Sequence, residues 1–228
     1  MKFKKVLFLA SLMVLPMMNF LQAQDWADLA RYQKANMELG PAKEGEDRIV
    51  FMGNSITEGW SKLSPEFFAD PSYINRGISG QTTPQMLLRF KQDVIDLRPK
   101  VVVILAGTND IAGNTGPSSQ KMIQDNIFSM AELAVAYGIK VVISSVLPVY
   151  DYPWKKGLDP SQKIIDLNAA LKSYSEKNGH VYLDYFTPMV DDRNGLKEAY
   201  TYDGVHPDEN GYKAMAPLAK EAIAKALE

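Results

Sequence analysis

The chain of 228 residues contains only two histidines, His180 and His206. His206 lies in "DGVHP" (203–207), three residues after Asp203 and directly before Pro207. A residue before proline is biased toward extended backbone, so Pro207 presents the imidazole from a loop rather than from a helix. One ring nitrogen can act as a base. A carboxylate on the other nitrogen holds the tautomer and stabilises the imidazolium that forms, a role Asp203 can fill. What this base lacks is a nucleophile, and "GNSITEG" (53–59) offers one in Ser55. A serine hydroxyl is weak until its proton is taken, so Ser55, His206 and Asp203 together have the parts for acyl transfer. Acyl transfer also needs donors for an oxyanion. Candidates are the backbone N–H of Ser55, the backbone N–H of Gly77 in "NRGISGQT" (75–82) and the side-chain amide of Asn109 in "GTNDIAGN" (107–114).

These stretches must be brought together by the elements around them. Five apolar runs read as strands: "RIVFMG" (48–53), "SYINRG" (72–77), "VVVILAG" (101–107), "KVVISSVLP" (140–148) and "HVYLDYF" (180–186). Three are almost continuous in β-branched and aliphatic residues, as in strands buried on both faces of a parallel sheet. Helical patterns alternate with them. One starts at Thr83 as N-cap with Pro84 next and carries Met86, Leu87, Phe90, Val94 and Leu97 on one face. Another, over 118–138, places Met122, Ile123, Ile127, Met130 and Ala134 on a stripe and closes at Gly138. A third runs from cap Asp159 to Gly179, a fourth from about Asp208 to Leu227, and a further helix is expected near 25–38. Strand alternating with helix predicts an α/β fold with a parallel sheet and helices on both faces. Ligands in such sheets bind beyond the carboxyl ends of the strands. Three of the four polar stretches lie there.

With those residues in view, "GNSIT", "NRGISG", "GTND" and "DGVHP" resemble, in order, the four sequence blocks of the SGNH hydrolases, the GDSL-type esterases and lipases. The blocks span residues 53–207. The resemblance implies a flavodoxin-like three-layer α/β/α sandwich with a five-stranded parallel sheet. It implies a catalytic triad of Ser55, Asp203 and His206 and an oxyanion hole of Ser55, Gly77 and Asn109. It further implies ester hydrolysis through an acyl-enzyme, with no metal and no organic cofactor. Asn54 departs from the family pattern, in which Asp is usual. The G-x-S-x-G elbow of the α/β-hydrolases is absent around Ser55.

Other features have plainer readings. Trp60, Tyr150 and Trp154 follow strand-like runs, where they suit either a substrate pocket or core packing. Glu58 suits a helix cap as well as a substrate contact, and Asp110 a loop anchor. Asp191 and Asp192 in "DDRNG" fit a solvated turn better than a glycosidase pair, and His180 fits a helix end or a strand edge. The two histidines have no ligand-like spacing and there is no cysteine, so no metal site, disulfide or thiol nucleophile is expected. A formal charge of -2 without a basic stripe argues against a nucleic-acid partner.

Residues 1–23 read as a signal peptide: Lys2, Lys4 and Lys5, then an apolar stretch to Leu21 broken by Pro16, then Leu21-Gln22-Ala23 as cleavage site. A membrane anchor is the competing reading, but the stretch is short and interrupted, so no lasting membrane insertion is expected. Residues 24–228 then form a single domain, exported to a periplasm or secreted. The expected substrate is a small-molecule or glycan acyl ester, with a carbohydrate acetyl ester favoured. A lysophospholipase, arylesterase or thioesterase, and a glycan-binding protein without catalysis, are the alternatives. Oligomeric state is left open.

Overall fold

In a computed structural model, which describes residues 25–228, the five apolar runs are strands. They are β1 (Ile49–Gly53), β2 (Tyr73–Gly77), β3 (Val101–Leu105), β4 (Lys140–Ser144) and β5 (Val181–Leu183). All pair in parallel, in the order β2-β1-β3-β4-β5. The helices are α1 (Gln33–Leu39), α2 (Ser55–Leu63), α3 (Thr83–Asp93), α4 (Thr108–Ile111), α5 (Gln120–Ala136), α6 (Pro160–Asn178), α7 (Phe186–Met189) and α8 (Glu209–Leu227). The strand order is that of the flavodoxin-like fold, whose direction of winding reverses between β1 and β3. The signal-peptide reading of residues 1–23 lies outside the described residues.

Successive residues of a strand face opposite sides, and the core divides accordingly. Val50, Met52, Val102, Ile104, Val141 and Ile143 pack on one face against Met86 and Phe90 of α3, Ile127 and Met130 of α5 and Leu167 of α6. Ile49, Phe51, Val101, Val103, Leu105 and Val142 pack on the other against Ile56 and Trp60 of α2 and Met215 and Ile223 of α8. This makes three layers. In register, Gly53 of β1 is level with Gly77 of β2 and Leu105 of β3. The segments that follow these residues therefore emerge side by side at the carboxyl edge.

Several boundaries differ from the sequence reading. The helix near 25–38 is only α1, because Asp28 takes a left-handed φ of 54° and residues 25–32 run mostly as turns. Their carbonyls are bonded by glutamine side chains of the α3 region: Gln85 to Trp26, Gln81 to Ala27 and Gln92 to Leu29. The cap of α3 is Thr82, paired with Gln85 in a capping box, so Thr83 is already helical. Its last expected turn is a separate 3₁₀ turn, Ile95–Leu97. Asp159 precedes α6 in a left-handed conformation, and its side chain makes no capping bond. Met122 is exposed rather than part of the α5 stripe. Strands β4 and β5 stop early because side chains replace the ladder. Ser145 Oγ accepts from Tyr185 N–H and Phe186 N–H, and the Asn168 amide bonds both Val146 N–H and Val146 C=O.

Candidate active site

Ser55 is the first residue of α2, immediately beyond β1. The helix cap is Asn54, whose Oδ1 accepts from Ile56 N–H at 3.0 Å, so Ser55 Oγ is free of that duty. Asparagine thus supplies the capping oxygen that aspartate would. Its Nδ2, buried, finds no partner among the described residues. Ser55 Oγ lies 2.9 Å from His206 Nε2, and His206 Nδ1 lies 2.7 Å from Asp203 Oδ2. An ionised carboxylate only accepts. The proton between them therefore sits on Nδ1, leaving Nε2 to accept from the serine.

The loop carrying the other two residues is wound tightly on itself. Asp203 Oδ1 accepts from Val205 N–H and His206 N–H at 2.9 and 2.7 Å. Thr201 donates its hydroxyl to His206 C=O and accepts from Gly204 N–H. Burial pushes the Asp203 carboxyl up, but hydrogen bonds from the His206 backbone and ring and from Val205 outweigh this and hold it below the ordinary aspartate range. It stays charged wherever an imidazole is a useful base.

The candidate oxyanion donors differ in what they have free. Ser55 N–H, at the first position of α2, has no acceptor among the described residues and points along the positive end of the helix dipole. Asn109, on α4, lines the cleft and uses Nδ2 on Gln81 C=O at 2.9 Å, which leaves its second amide hydrogen. Gly77 corrects the sequence reading. Its N–H donates to Asn75 Oδ1 at 2.8 Å, so it is not available to an oxyanion. Glycine is required there because a Cβ would come within 2.2 Å of Glu58 N, where α2 crosses β2. The glycine of this block that lines the cleft is Gly80, whose N–H has no acceptor among the described residues. A φ of 78° there needs glycine, but the sequence "NRGISG" alone does not distinguish this glycine from Gly77.

A cleft of about 600 Å³ opens over Ser55 and His206, bordered by Ser79, Gly80, Asn109, Asn114, Trp154 and Tyr202. Trp154, 46% exposed, and Tyr202, 65% exposed, both stand 5.9 Å from the His206 ring between centroids. Tyr202 was missed in the sequence, although it directly precedes "DGVHP". Trp60 and Tyr150 do not reach the cleft. Trp60 is 1% exposed and stacks between Phe67 and Tyr212 in the core, because the apolar face of α2 turns it toward the sheet. Tyr150, 55% exposed, turns to the Arg193 guanidinium 5.0 Å from its ring centre.

Two buried groups hold these loops in register. Arg89 donates to Gly53 C=O, just before the nucleophile loop, to Gln81 Oε1 and to Asp93. Asp110 accepts from Thr83 N–H and Thr83 hydroxyl, tying the Asn109 segment to α3 as a loop anchor. Asp191 closes a turn through Gly195 N–H and Arg193 N–H, and His180 follows the α6 stop with its N–H on Ser175 C=O. Among the described residues, no three His, Cys, Asp or Glu side chains are grouped to hold a metal ion.

Burial raises the Asp110 carboxyl to about 6 against the Thr83 hydrogen bonds. The folded chain then binds this proton more tightly than the unfolded one between about pH 4 and 6, so its stabilising share is full below 4 and lost on rising through 6. Urea melts of wild type and Asp110→Asn across pH 4 to 7 should differ in slope by up to about 3 kcal/mol over that window. Parallel curves would refute the shifted carboxyl.

A nucleophile, base and orienting acid in line beyond a parallel sheet, with three donors beside them, define the class of a serine hydrolase. The GDSL-like lipase/acylhydrolase family matches residues 51–214, and the chain belongs to that family of carboxylic ester hydrolases. A crystal structure from Bacteroides fragilis, assigned as an acylhydrolase, superimposes with a TM-score of 0.88 at 48% identity, covering 90% of this chain and 100% of the other. Esterase TesA of Pseudomonas aeruginosa is 29% identical over 76% of this chain and 86% of its own. An acetylxylan esterase of Xylanibacter ruminicola is 23% identical over 86% of this chain but only 46% of its own length. A Bacillus subtilis lipoprotein is 37% identical over 34% of this chain and 33% of its own. The chain thus spans less than half of these last two relatives.

Proposed function

We propose that the protein is an exported serine esterase that removes short acyl groups, acetyl above all, from carbohydrate alcohols. Ser55 Oγ attacks the ester carbonyl while His206 Nε2 takes its proton. The oxyanion is met by Ser55 N–H, Gly80 N–H and the Asn109 amide. As the tetrahedral intermediate collapses, the C–O bond to the alcohol breaks and His206 returns the proton to the leaving oxygen. Water then attacks the acyl-Ser55 ester with His206 again as base; on collapse the bond to Ser55 Oγ breaks, His206 returns the proton to that oxygen, and the carboxylic acid leaves. Asp203 keeps the imidazole oriented and stabilises its charged form.

The observation that carries the carbohydrate reading is the pair of exposed aromatic rings, Trp154 and Tyr202, each 5.9 Å from the ring of the base that protonates the leaving alcohol. Aromatic faces suit the C–H side of a sugar ring, and the polar border of Ser79, Asn109 and Asn114 suits its hydroxyls. The acetylxylan esterase relative acts, by its name, on such an ester. Export rests on the basic and apolar pattern of residues 1–23 and on the lipoprotein relative. No described helix is long and apolar enough to cross a membrane.

A 4-nitrophenyl ester series from acetyl to long chain, with an acetylated xylo-oligosaccharide alongside, tests this. Rates should be highest on acetyl. Trp154→Ala should raise KM on the oligosaccharide about tenfold more than on 4-nitrophenyl acetate, the size of one well-placed aromatic contact. Rates that climb with chain length would replace the carbohydrate reading with a lysophospholipase one. Glycan binding without turnover of any ester would favour a binding protein.

A further inference from the structure

Of the three oxyanion donors, Gly80 is the least constrained by its own backbone. It is a glycine in a loop, with φ of 78° and nothing within 4 Å of where a Cβ would stand. Such a residue samples many conformations unless neighbours fix it. Its peptide partner, Ser79, is gripped twice by one carboxylate. Glu58 Oε2 accepts from Ser79 N–H at 2.9 Å and also from the Ser79 hydroxyl. Glu58 sits on α2 three residues after Ser55, so the helix that carries the nucleophile also carries the clamp on the donor loop. Its other oxygen, Oε1, is held by Arg31 Nη2 at 2.7 Å, from the segment that precedes α1.

The rest of the loop is tied as closely. Asn114 Nδ2 donates to Gly80 C=O, Gln81 Nε2 donates to Ala27 C=O, and Tyr32 hydroxyl donates to Gly77 C=O. The N-terminal segment therefore touches the donor loop on both sides of Gly80, and Glu58 touches it at the residue before. We propose that Glu58 is a positioning residue for the oxyanion hole: it fixes the Ser79–Gly80 peptide so that Gly80 N–H faces the cleft, and Arg31 holds Glu58 in that pose. The inference rests on Gly80 being an oxyanion donor in a Ser55 mechanism. Burial would raise the Glu58 carboxyl, but the Ser79 hydrogen bonds and the Lys62 and Arg31 charges more than offset it, so Glu58 is an acceptor throughout the working range.

Steady-state kinetics on 4-nitrophenyl acetate test the role, with Ser55→Ala run in parallel. Glu58→Ala should lower kcat about 30-fold with KM within about twofold, the pattern of an interaction made only in the transition state. Glu58→Gln keeps an oxygen for Ser79 N–H and should stay within about fivefold of wild type. Arg31→Ala, at the surface, should lower kcat about threefold, with Arg31→Lys restoring it. That pair carries the test if Glu58→Ala does not fold by circular dichroism. The proposal is overturned if Ser55→Ala is inactive but Glu58→Ala, or in its place Arg31→Ala, keeps wild-type kcat. It is overturned equally if Glu58→Gln falls as far as Glu58→Ala, or if the whole loss is in KM. Activity surviving in Ser55→Ala would instead remove the mechanism on which the proposal rests.

Discussion

Ser55→Ala should lower kcat on 4-nitrophenyl acetate by about 10⁵-fold, or about 7 kcal/mol of transition-state stabilisation, with little change in KM. The size follows from the geometry. The hydroxyl 2.9 Å from His206 Nε2 is the only group in that line able to form the acyl-enzyme, and methyl cannot replace it. The proposed donors at Ser55 N–H, Gly80 and Asn109 survive the substitution, so a residual rate above that in water should remain. Because the triad acts as a unit, His206→Ala should cost nearly as much, and the double variant hardly more than either alone. Pre-steady-state traces check the same point independently. A burst of 4-nitrophenol in wild type should vanish in Ser55→Ala. Equal rates for both proteins would exclude Ser55 as nucleophile.

The largest effect on stability is expected at Arg89. Its guanidinium and the Asp93 carboxylate are both 0% exposed and 2.9 Å apart. Arg89→Met leaves the Asp93 charge buried without its partner and strands Gly53 C=O and Gln81 Oε1. Breaking one side of such a pair costs about 3–5 kcal/mol, so the melting temperature should fall by about 10 °C. Arg89→Met/Asp93→Leu, which removes both charges, should recover most of that loss, since the cost lies in the orphaned charge rather than in the absent attraction. The two melts together decide the matter: a double variant no more stable than the single would show that the lost bonds to Gly53 and Gln81 dominate. Either variant should lose activity beyond its loss of fold, because Arg89 joins the loop before Ser55 to the segment that carries Gly80.

Much of this was legible in the chain. Parallel strands buried on both faces must be largely apolar, so β1, β3 and β4 announce themselves as nearly continuous apolar runs, and the stretches after β1 and β3 announce themselves by glycine and asparagine. Ser55, Asp203 and His206, which the fold brings into one hydrogen-bonded line, and Asn109, which it places at the cleft, could be picked out as candidates from residue type and order because acyl transfer admits few substitutes for each part. Asp110 as an anchor, Asp191 as a turn and His180 as a helix end also follow from local chemistry.

What the chain could not disclose depends on which way a residue faces once elements pack. "NRGISG" offers two glycines, and both are needed. Gly77 is spent on the close crossing of α2 over β2, its N–H taken by Asn75, while Gly80 lines the cleft with its N–H unbonded among the described residues. No property of the sequence separates them, since either glycine could free a backbone N–H. Trp60, Tyr150 and Trp154 are alike in composition, yet helix phase sends the first into the core and a loop path sends the second to Arg193. Of the three, only Trp154 reaches His206, whose ring is also flanked by Tyr202 from a segment 48 residues further on. The clamp from Arg31 through Glu58 to Ser79 joins three stretches that the sequence keeps apart. The sequence by itself thus determined the kind of chemistry and the sheet that serves it, because those depend on residue type and period. Tertiary structure decided which of several eligible side chains does each task, because that depends on contacts made only when the layers close.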